Sequence, residues 1–344
     1  MQAQIWLTGF EPFGVHDVNP SQQLVEKLLG TTFSTKLEAK SPYGFEDKNI
    51  AIEVFGKVLS VDEAGSRYST DFISEVDAVI HVGLNENAEN IRIEMCAVNE
   101  NNFRISDNSG RHLIGELVDE SGLPLLHTTI HRPSIENIFL ETEYVEISED
   151  CGRFVCNETY YRTLQSIEAN SLQARGRALP AVFVHIPPFS HVSEDIQLSF
   201  LRQLSASIVQ KPCIDVVGGV IHNSNGRILA CQRSVSGVMG GYWEFPGGKV
   251  ERGESLRDAL IREICEELNH ESNIGDLLGT IKHDYGSMIV NISFFSCRTE
   301  EKEFISTAHD ECRWVSEDEA KSLDWLPADI DFINQLADKG FKSI

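Results

Sequence analysis

The 344-residue chain is short of positive charge: 29 Lys and Arg stand against 53 Asp and Glu, a formal net charge of −24. Such an acidic surface repels nucleic-acid backbones and anionic membranes, so neither is expected as a partner. A single anionic metabolite stays admissible, because one bound divalent cation inverts the local sign of a site. Long apolar runs are missing too. No stretch approaches the roughly 18 residues that a membrane span needs, and the opening MQAQIWLTGF has neither a basic nor an apolar leader region. A cytoplasmic protein is expected. The eight cysteines are scattered without a CxxC pair, which reads as reduced thiols and speaks against a structural zinc site. Internal repeats and low-complexity segments are absent, and what remains, 41% hydrophobic and 24% charged residues, is the composition of an ordinary globular chain of two-domain length.

The two halves follow different patterns. In the first, short apolar runs at 4–10, 50–55, 77–84, 91–98 and 181–186 alternate with amphipathic stretches. Asn19-Pro20 before SQQLVEKLL marks a helix start, with Asn as cap and Pro at the first helical position. This order predicts an α/β/α sandwich on a mostly parallel sheet, with ligands near the carboxyl ends of strands. A last helix over 193–210 ends at Lys211-Pro212, which places the domains at 1–210 and 211–344. Beyond it, strands at 213–222, 228–233 and 242–245 are followed by one long helix, two strands near 277–283 and 288–297, and short helices around 316–323 and 328–338.

That long helix carries the strongest chemical signal, within GGKVERGESLRDALIREICEELNHE from Gly247. Leu256, Ala259, Leu260, Ile264 and Leu268 define its inward side, and at about 100° per residue Glu263 and Glu267 fall in the same arc with Glu266 at its edge. Carboxylates four residues apart repel, and turning them inward adds desolvation, so the arrangement makes sense chiefly with a cation, and hard oxygen donors suit Mg²⁺ or Mn²⁺. Gly248, five residues, Glu254, seven residues, then REICEE resembles the Nudix box, Gx5Ex7REUxEExGU with U aliphatic. Asn269 and His270 replace its closing Gly and aliphatic residue, and Asn still suits a left-handed cap. With ILACQR, GGYWEFPGGKVERGE and DWLPADIDFI, the segment 214–340 is similar to the MutT and cytidine-nucleotide pyrophosphohydrolase branch.

The resemblance implies an α+β Nudix domain with a mixed sheet, in which Glu263, Glu266 and Glu267 hold Mg²⁺ or Mn²⁺ together with the Gly248 carbonyl. Arg262 would orient a carboxylate and Glu254 support the loop, and a nucleoside triphosphate would yield a monophosphate and pyrophosphate. Where such enzymes carry a further glutamate, six positions before Trp314, this chain has Ala308, with Asp310 and Glu311 nearby. Asp329 admits two readings, contact with a nucleobase edge or a helix cap; Arg233 is either a phosphate contact or a surface charge.

In the first half Cys156, taken alone, reads as core packing. Its place at the opening of an amphipathic helix, where free N–H groups favour a thiolate, and His185 at the end of the strand AVFVHIP, point instead to a nucleophile and base. TGFEPFG with NPS, the run from Gly83 through Glu94 to Asn99, Arg104 with the DN pair at 107–108, GRFVCN and FVHIPPF resemble, in that order, pyroglutamyl peptidase I over about residues 3–208. The resemblance implies Cys156 as nucleophile, His185 as general base and Glu94 as its orienting carboxylate. Phe10 and Phe13 would sandwich the lactam ring, with Arg104 near the oxyanion. The chain departs from the family at 83–88, GLNENA, where a GQAGGR-like turn is usual. The expectation is therefore a two-domain hydrolase acting on a small nucleotide and on an N-terminal pyroglutamyl peptide or another amide. The alternative is that only the Nudix half is catalytic and the first half serves binding or assembly into a homo-oligomer.

Overall fold

The computed structural model describes residues 2–15, 17–37, 42–45, 49–139, 141–299 and 304–341. The chain divides into two compact units, Met1–Ala39 with Phe45–Lys211, and Lys40–Gly44 with Pro212–Ile344.

In the first unit, alternation along the strands sorts apolar side chains onto two faces of one sheet. Ile5, Leu7, Ile80, Val82, Val182, Val184 and Ile186 share a core with Leu24 and Val25 of the helix Pro20–Leu28 and with Phe200, Leu201 and Leu204 of the helix Glu194–Ile208. Trp6, Phe10, Val79, Ala181 and Phe183 face the other way, against Tyr160, Tyr161, Leu164 and Ile167 of the helix Val155–Ala169. The seven described strands run in the order Val145–Ser148, Ile91–Glu94, Ala181–Ile186, Ala78–Leu84, Gln2–Phe10, Asn49–Leu59, Thr32–Lys36. Four of these pairings are parallel and two antiparallel, the mostly parallel sandwich expected. The run expected as one strand over 91–98 is two: at Met95 the chain leaves the sheet, and Cys96–Val98 pairs instead with Leu125–His127.

The second unit is a mixed sheet in the order Trp243–Glu244, Ile228–Arg233, Pro212–His222, Ile289–Arg298, Asn273–Asp284, with Gly247–Lys249 and Tyr43–Phe45 also pairing Pro212–His222 and His309–Val315 pairing Ile228–Arg233. Phe332, Ile333 and Leu336 of the helix Pro327–Lys339 cover one face. Ala259, Leu260, Ile264 and Leu268 of the helix Leu256–Leu268 cover the other. That helix starts at Ser255, whose side chain accepts from Asp258 N, and ends at Asn269 in the left-handed conformation, φ 47°. Leu256, expected on the inward seam, is exposed, and the buried seam begins at Ala259. The strand His309–Val315 (HDECRWV) was not expected from its polar sequence. Among the described residues no helix is long and apolar enough to cross a membrane.

Asn19 caps its helix as the sequence indicates: its Oδ1 accepts from Ser21 N at 3.0 Å and from Ser21 Oγ at 2.9 Å, while its Nδ2 donates to Glu11 O. Asn19→Ala should cost about 1–2 kcal/mol by chemical denaturation. An unchanged midpoint would show that the cap contributes nothing.

Candidate active sites

His185 follows Phe183 by two residues and so faces the same side of the sheet, toward the helix Val155–Ala169. Its Nδ1 lies 2.8 Å from Oε1 of Glu94, a fully buried residue of the adjacent antiparallel strand. Burial by itself disfavours the imidazolium. Hydrogen bonds to Cys156 and Glu94, with the charges of both, outweigh it and raise His185 to about 9. Cys156 is the second residue of its helix, where N–H groups lack intrahelical acceptors. The thiol reaches its position because residue 83 is glycine: a Cβ there would stand 2.9 Å from Cys156 Sγ and 2.8 Å from Phe183 Cζ. The fold thus brings together Glu94, Cys156 and His185, three residues widely separated in the sequence.

A cavity of about 540 Å³ opens beside this group, with Phe13, Arg104, Cys156 and His185 in its walls. Two other arginines of the same wall are paired, Arg92 with Glu146 and Arg153 with Glu100 and Asp150. Arg104 is exposed and has no carboxylate partner among the described residues. Phe10 does not line this cavity. It is buried, with its ring 6.2 Å from that of Phe183, and with Phe13, Leu84 and Cys156 it bounds an adjoining recess of about 10 Å³, space for about one water. Phe13, Leu84, Phe154 and Cys156 border both spaces, so the expected aromatic slot is narrow on the Phe10 side and adjoins the larger cavity on the Phe13 side.

In the second unit Arg262 organises the acidic helix. Its Nε and Nη2 bind the two oxygens of Glu254 at 2.8 and 3.0 Å, Nη2 also donates to Lys249 O, and Nη1 reaches Glu263 at 2.9 Å and Glu266 at 3.3 Å. Gly248 lies so close that a Cβ would stand 2.4 Å from the Glu263 carboxyl carbon. Glu266 is largely exposed, while Glu267 turns inward, accepting from Gly247 N at 2.9 Å. Burial, with the charges of Glu244 and Glu263, raises Glu267 to about 7 against the opposing effect of His309. An inward carboxyl unsettled by neighbouring carboxylates, in an all-oxygen donor set, fits a hard divalent cation.

Arg233 is not free for phosphate here. Its Nη1 is 2.6 Å from Glu244 Oε2 and its Nε donates to Val238 O. Asp329 is not the helix cap, which is Leu326; it lies in the first turn and is buried. Burial, then the charge of Glu244, raises its carboxyl well above the usual range despite a hydrogen bond from the Phe245 backbone. Asp310 accepts from Val235 N, and Glu311 is exposed. The residues that do approach Glu267 were missed in the sequence: Glu244, directly before the FPGG turn, and His309, whose Nε2 is 3.1 Å from Glu244 Oε1. Burial opposes charge on His309, but contacts with Cys312 and Glu244 raise it to about 10.

Residues 3–199 match the family described as pyroglutamyl peptidase, and residues 214–336 match the NUDIX domain. Over 212 residues, 61% of this chain and 89% of the relative, the chain is 28% identical to a pyrrolidone-carboxylate peptidase of Bacillus velezensis. Over 106 residues, 31% of this chain and 94% of the relative, it is 35% identical to an 8-oxo-dGTP diphosphatase of Proteus vulgaris. The solved structure of a mutant pyrrolidone carboxyl peptidase from Pyrococcus furiosus has the same fold, with a TM-score of 0.50 at 23% identity over 60% of this chain and 98% of that one.

The raised His185 makes stability depend on pH with a definite sign. Folding favours the charged imidazole, so the contribution is complete below the unfolded value of about 6.5 and is lost as pH rises toward about 9. The melting-temperature advantage of the wild type over His185→Gln should shrink across that window. An advantage independent of pH would show that the imidazole is neutral in the folded chain.

Proposed function

Since the chain belongs to the pyroglutamyl peptidase family and carries a NUDIX domain after it, we propose that it is a two-domain hydrolase with a thiol site and a metal-dependent nucleotide site. The Glu94–His185–Cys156 group carries the first assignment. Cys156 attacks the carbonyl carbon of an amide as the thiolate, its proton held on His185. The tetrahedral intermediate collapses to a thioester as the amine leaves with that proton, and water, deprotonated by His185, releases the acid. Glu94 holds the ring in place and stabilises its charge. The free N–H groups at the start of the cysteine helix, with Arg104, face the developing oxyanion. A pyroglutamyl ring would seat beside Phe13, where the narrow recess bounded by Phe10 meets the larger cavity.

At the second site Glu263, Glu266, Glu267 and the Gly248 carbonyl would hold Mg²⁺ or Mn²⁺. When bound, the ion supplies charge neutralisation of a polyphosphate and activation of water. Arg262 keeps Glu254 and Glu263 in register and Glu244 keeps Arg233 in place. Asp329, whose carboxyl burial shifts toward the neutral form, would offer a hydrogen bond to a nucleobase. The substrate class is a nucleoside triphosphate, cleaved to monophosphate and pyrophosphate, in keeping with the 35% identity to the Proteus vulgaris diphosphatase.

Two measurements test the two sites. Release of a fluorogenic amine from a pyroglutamyl substrate should occur with the wild type and disappear in Cys156→Ala. No release by a folded wild type would favour a first unit that acts on another amide or only binds. Mg²⁺-dependent pyrophosphate release from nucleoside triphosphates should fall by about 100-fold or more in Glu267→Gln. Unchanged turnover would remove Glu267 from the metal site.

A further inference from the structure

Among the described residues, three side chains bring metal-donor atoms within 4.8 Å of one another, and they are not the helix glutamates but Cys231, His309 and Cys312. Their convergence has a structural cause. Cys231 and Cys312 are directly opposed residues of the antiparallel strands Ile228–Arg233 and His309–Val315, so their side chains leave the same face, with Sγ atoms 3.1 Å apart. In a regular strand His309, three residues before Cys312, would point to the opposite face. The register instead shifts between Gln232 and Arg233, pairing Glu311 with Gln232 and His309 with Arg233. This extra residue re-aims the histidine onto the thiol face, and the imidazole there is almost wholly buried.

We propose that Cys231, Cys312 and His309 form a binding site for Zn²⁺, separate in chemistry from the carboxylate helix. Two sulfurs and an imidazole select a borderline-soft ion over Mg²⁺, which prefers oxygen. Glu244 beside His309 Nε2 at 3.1 Å fixes the ring as carboxylates fix zinc-bound histidines. Nδ1, which now faces Ser306 Oγ at 3.3 Å, is the nitrogen left for the ion. A tetrahedral ion with Zn–S near 2.3 Å holds two sulfurs roughly 3.7 Å apart, so the pair needs only a small separation. A disulfide would need the sulfurs to close to about 2.05 Å and would leave the histidine without a part. Binding displaces the thiol protons and any proton on the imidazole, and Glu244 remains its hydrogen-bond acceptor.

The test uses the full chain, tag-free and carrying Cys156→Ala so that the other thiol–imidazole pair contributes nothing, reduced with a phosphine and given Zn²⁺ or Co²⁺ alone. One equivalent of Zn²⁺ should survive desalting, and Co²⁺ should produce a thiolate-to-metal charge-transfer band. Both should be lost in Cys312→Ala, and the affinity should fall at least tenfold in His309→Gln. A readout without substitution at the site guards against misfolding: Zn²⁺ should protect Cys312, the more accessible thiol of the pair, from alkylation as mapped by mass spectrometry. No retained ion, equal retention in Cys312→Ala, unaltered alkylation, or oxidation of the pair to a disulfide in place of binding would each overturn the proposal.

Discussion

Every functional group in this chain is arranged around one constraint: a carboxylate withdrawn from water must be met by a counter-charge or by donors, because an unmet buried ion costs several kcal/mol. Glu94 is met by His185 through one carboxylate oxygen, and hydrogen bonds to Cys156 and Glu94 together hold the imidazole charged. Glu158, fully buried in the first turn of the cysteine helix, is met by Arg111 and Arg162. That pairing lets a helix with a buried acidic residue pack its start against the sheet and present Cys156. In the second unit Glu254 is met by Arg262 and Glu244 by Arg233 and His309. Glu267 and Asp329 depart from this: Asp329 has a backbone hydrogen bond from Phe245 and a carboxyl held well above the usual range by burial. Glu267 has the Gly247 N–H and a charge some way off on His309, and its carboxyl rises to about 7.

Much of the architecture was legible because burial follows period. Val182, Val184 and Ile186 on one face and Phe183 with His185 on the other are written in AVFVHI, and a strand of alternating fate reads clearly when both faces are covered. Helix ends were legible where a side chain does the capping, at Asn19 and Ser255, and where Asn269 takes the left-handed turn. Thr32–Lys36 and His309–Val315 were not, since edge and polar strands stand half in solvent and their alternation lacks apolar contrast.

The sites divided along similar lines. Gly248, Glu254, Arg262, Glu263 and Glu267 lie on one short strand, the loop after it and one helix, so their spacing in sequence carries over into space. The cysteine group could be drawn from the sequence only through resemblance, for Glu94 and His185 meet across a sheet pairing that no local pattern encodes. The surroundings of Phe10, Arg233 and Asp329 were not legible, because each depends on what a neighbour occupies: a narrow recess, a carboxylate at 2.6 Å, a cap taken by Leu326. Glu244 and His309 stayed hidden because a β-bulge, which leaves no mark in residue type, decides which way the histidine points.

The charge arrangement also separates the two chemistries. A lactam or peptide amide is neutral at the scissile bond, and the proposed thiol site needs only a local cation, His185, and oxyanion donors. A nucleoside triphosphate carries its own negative charge into the field of a chain at −24, a field that opposes its approach. Two guanidiniums considered for this site, Arg233 on its strand and Arg262 within the acidic helix, are both committed to carboxylates of the protein. Releasing either to a phosphate would strand Glu244 or Glu254, partly buried, without its partner. At the proposed nucleotide site a bound cation would supply the neutralisation that these two arginines do not, and Glu267, raised to about 7 by burial, is a carboxylate whose charge such a cation would offset.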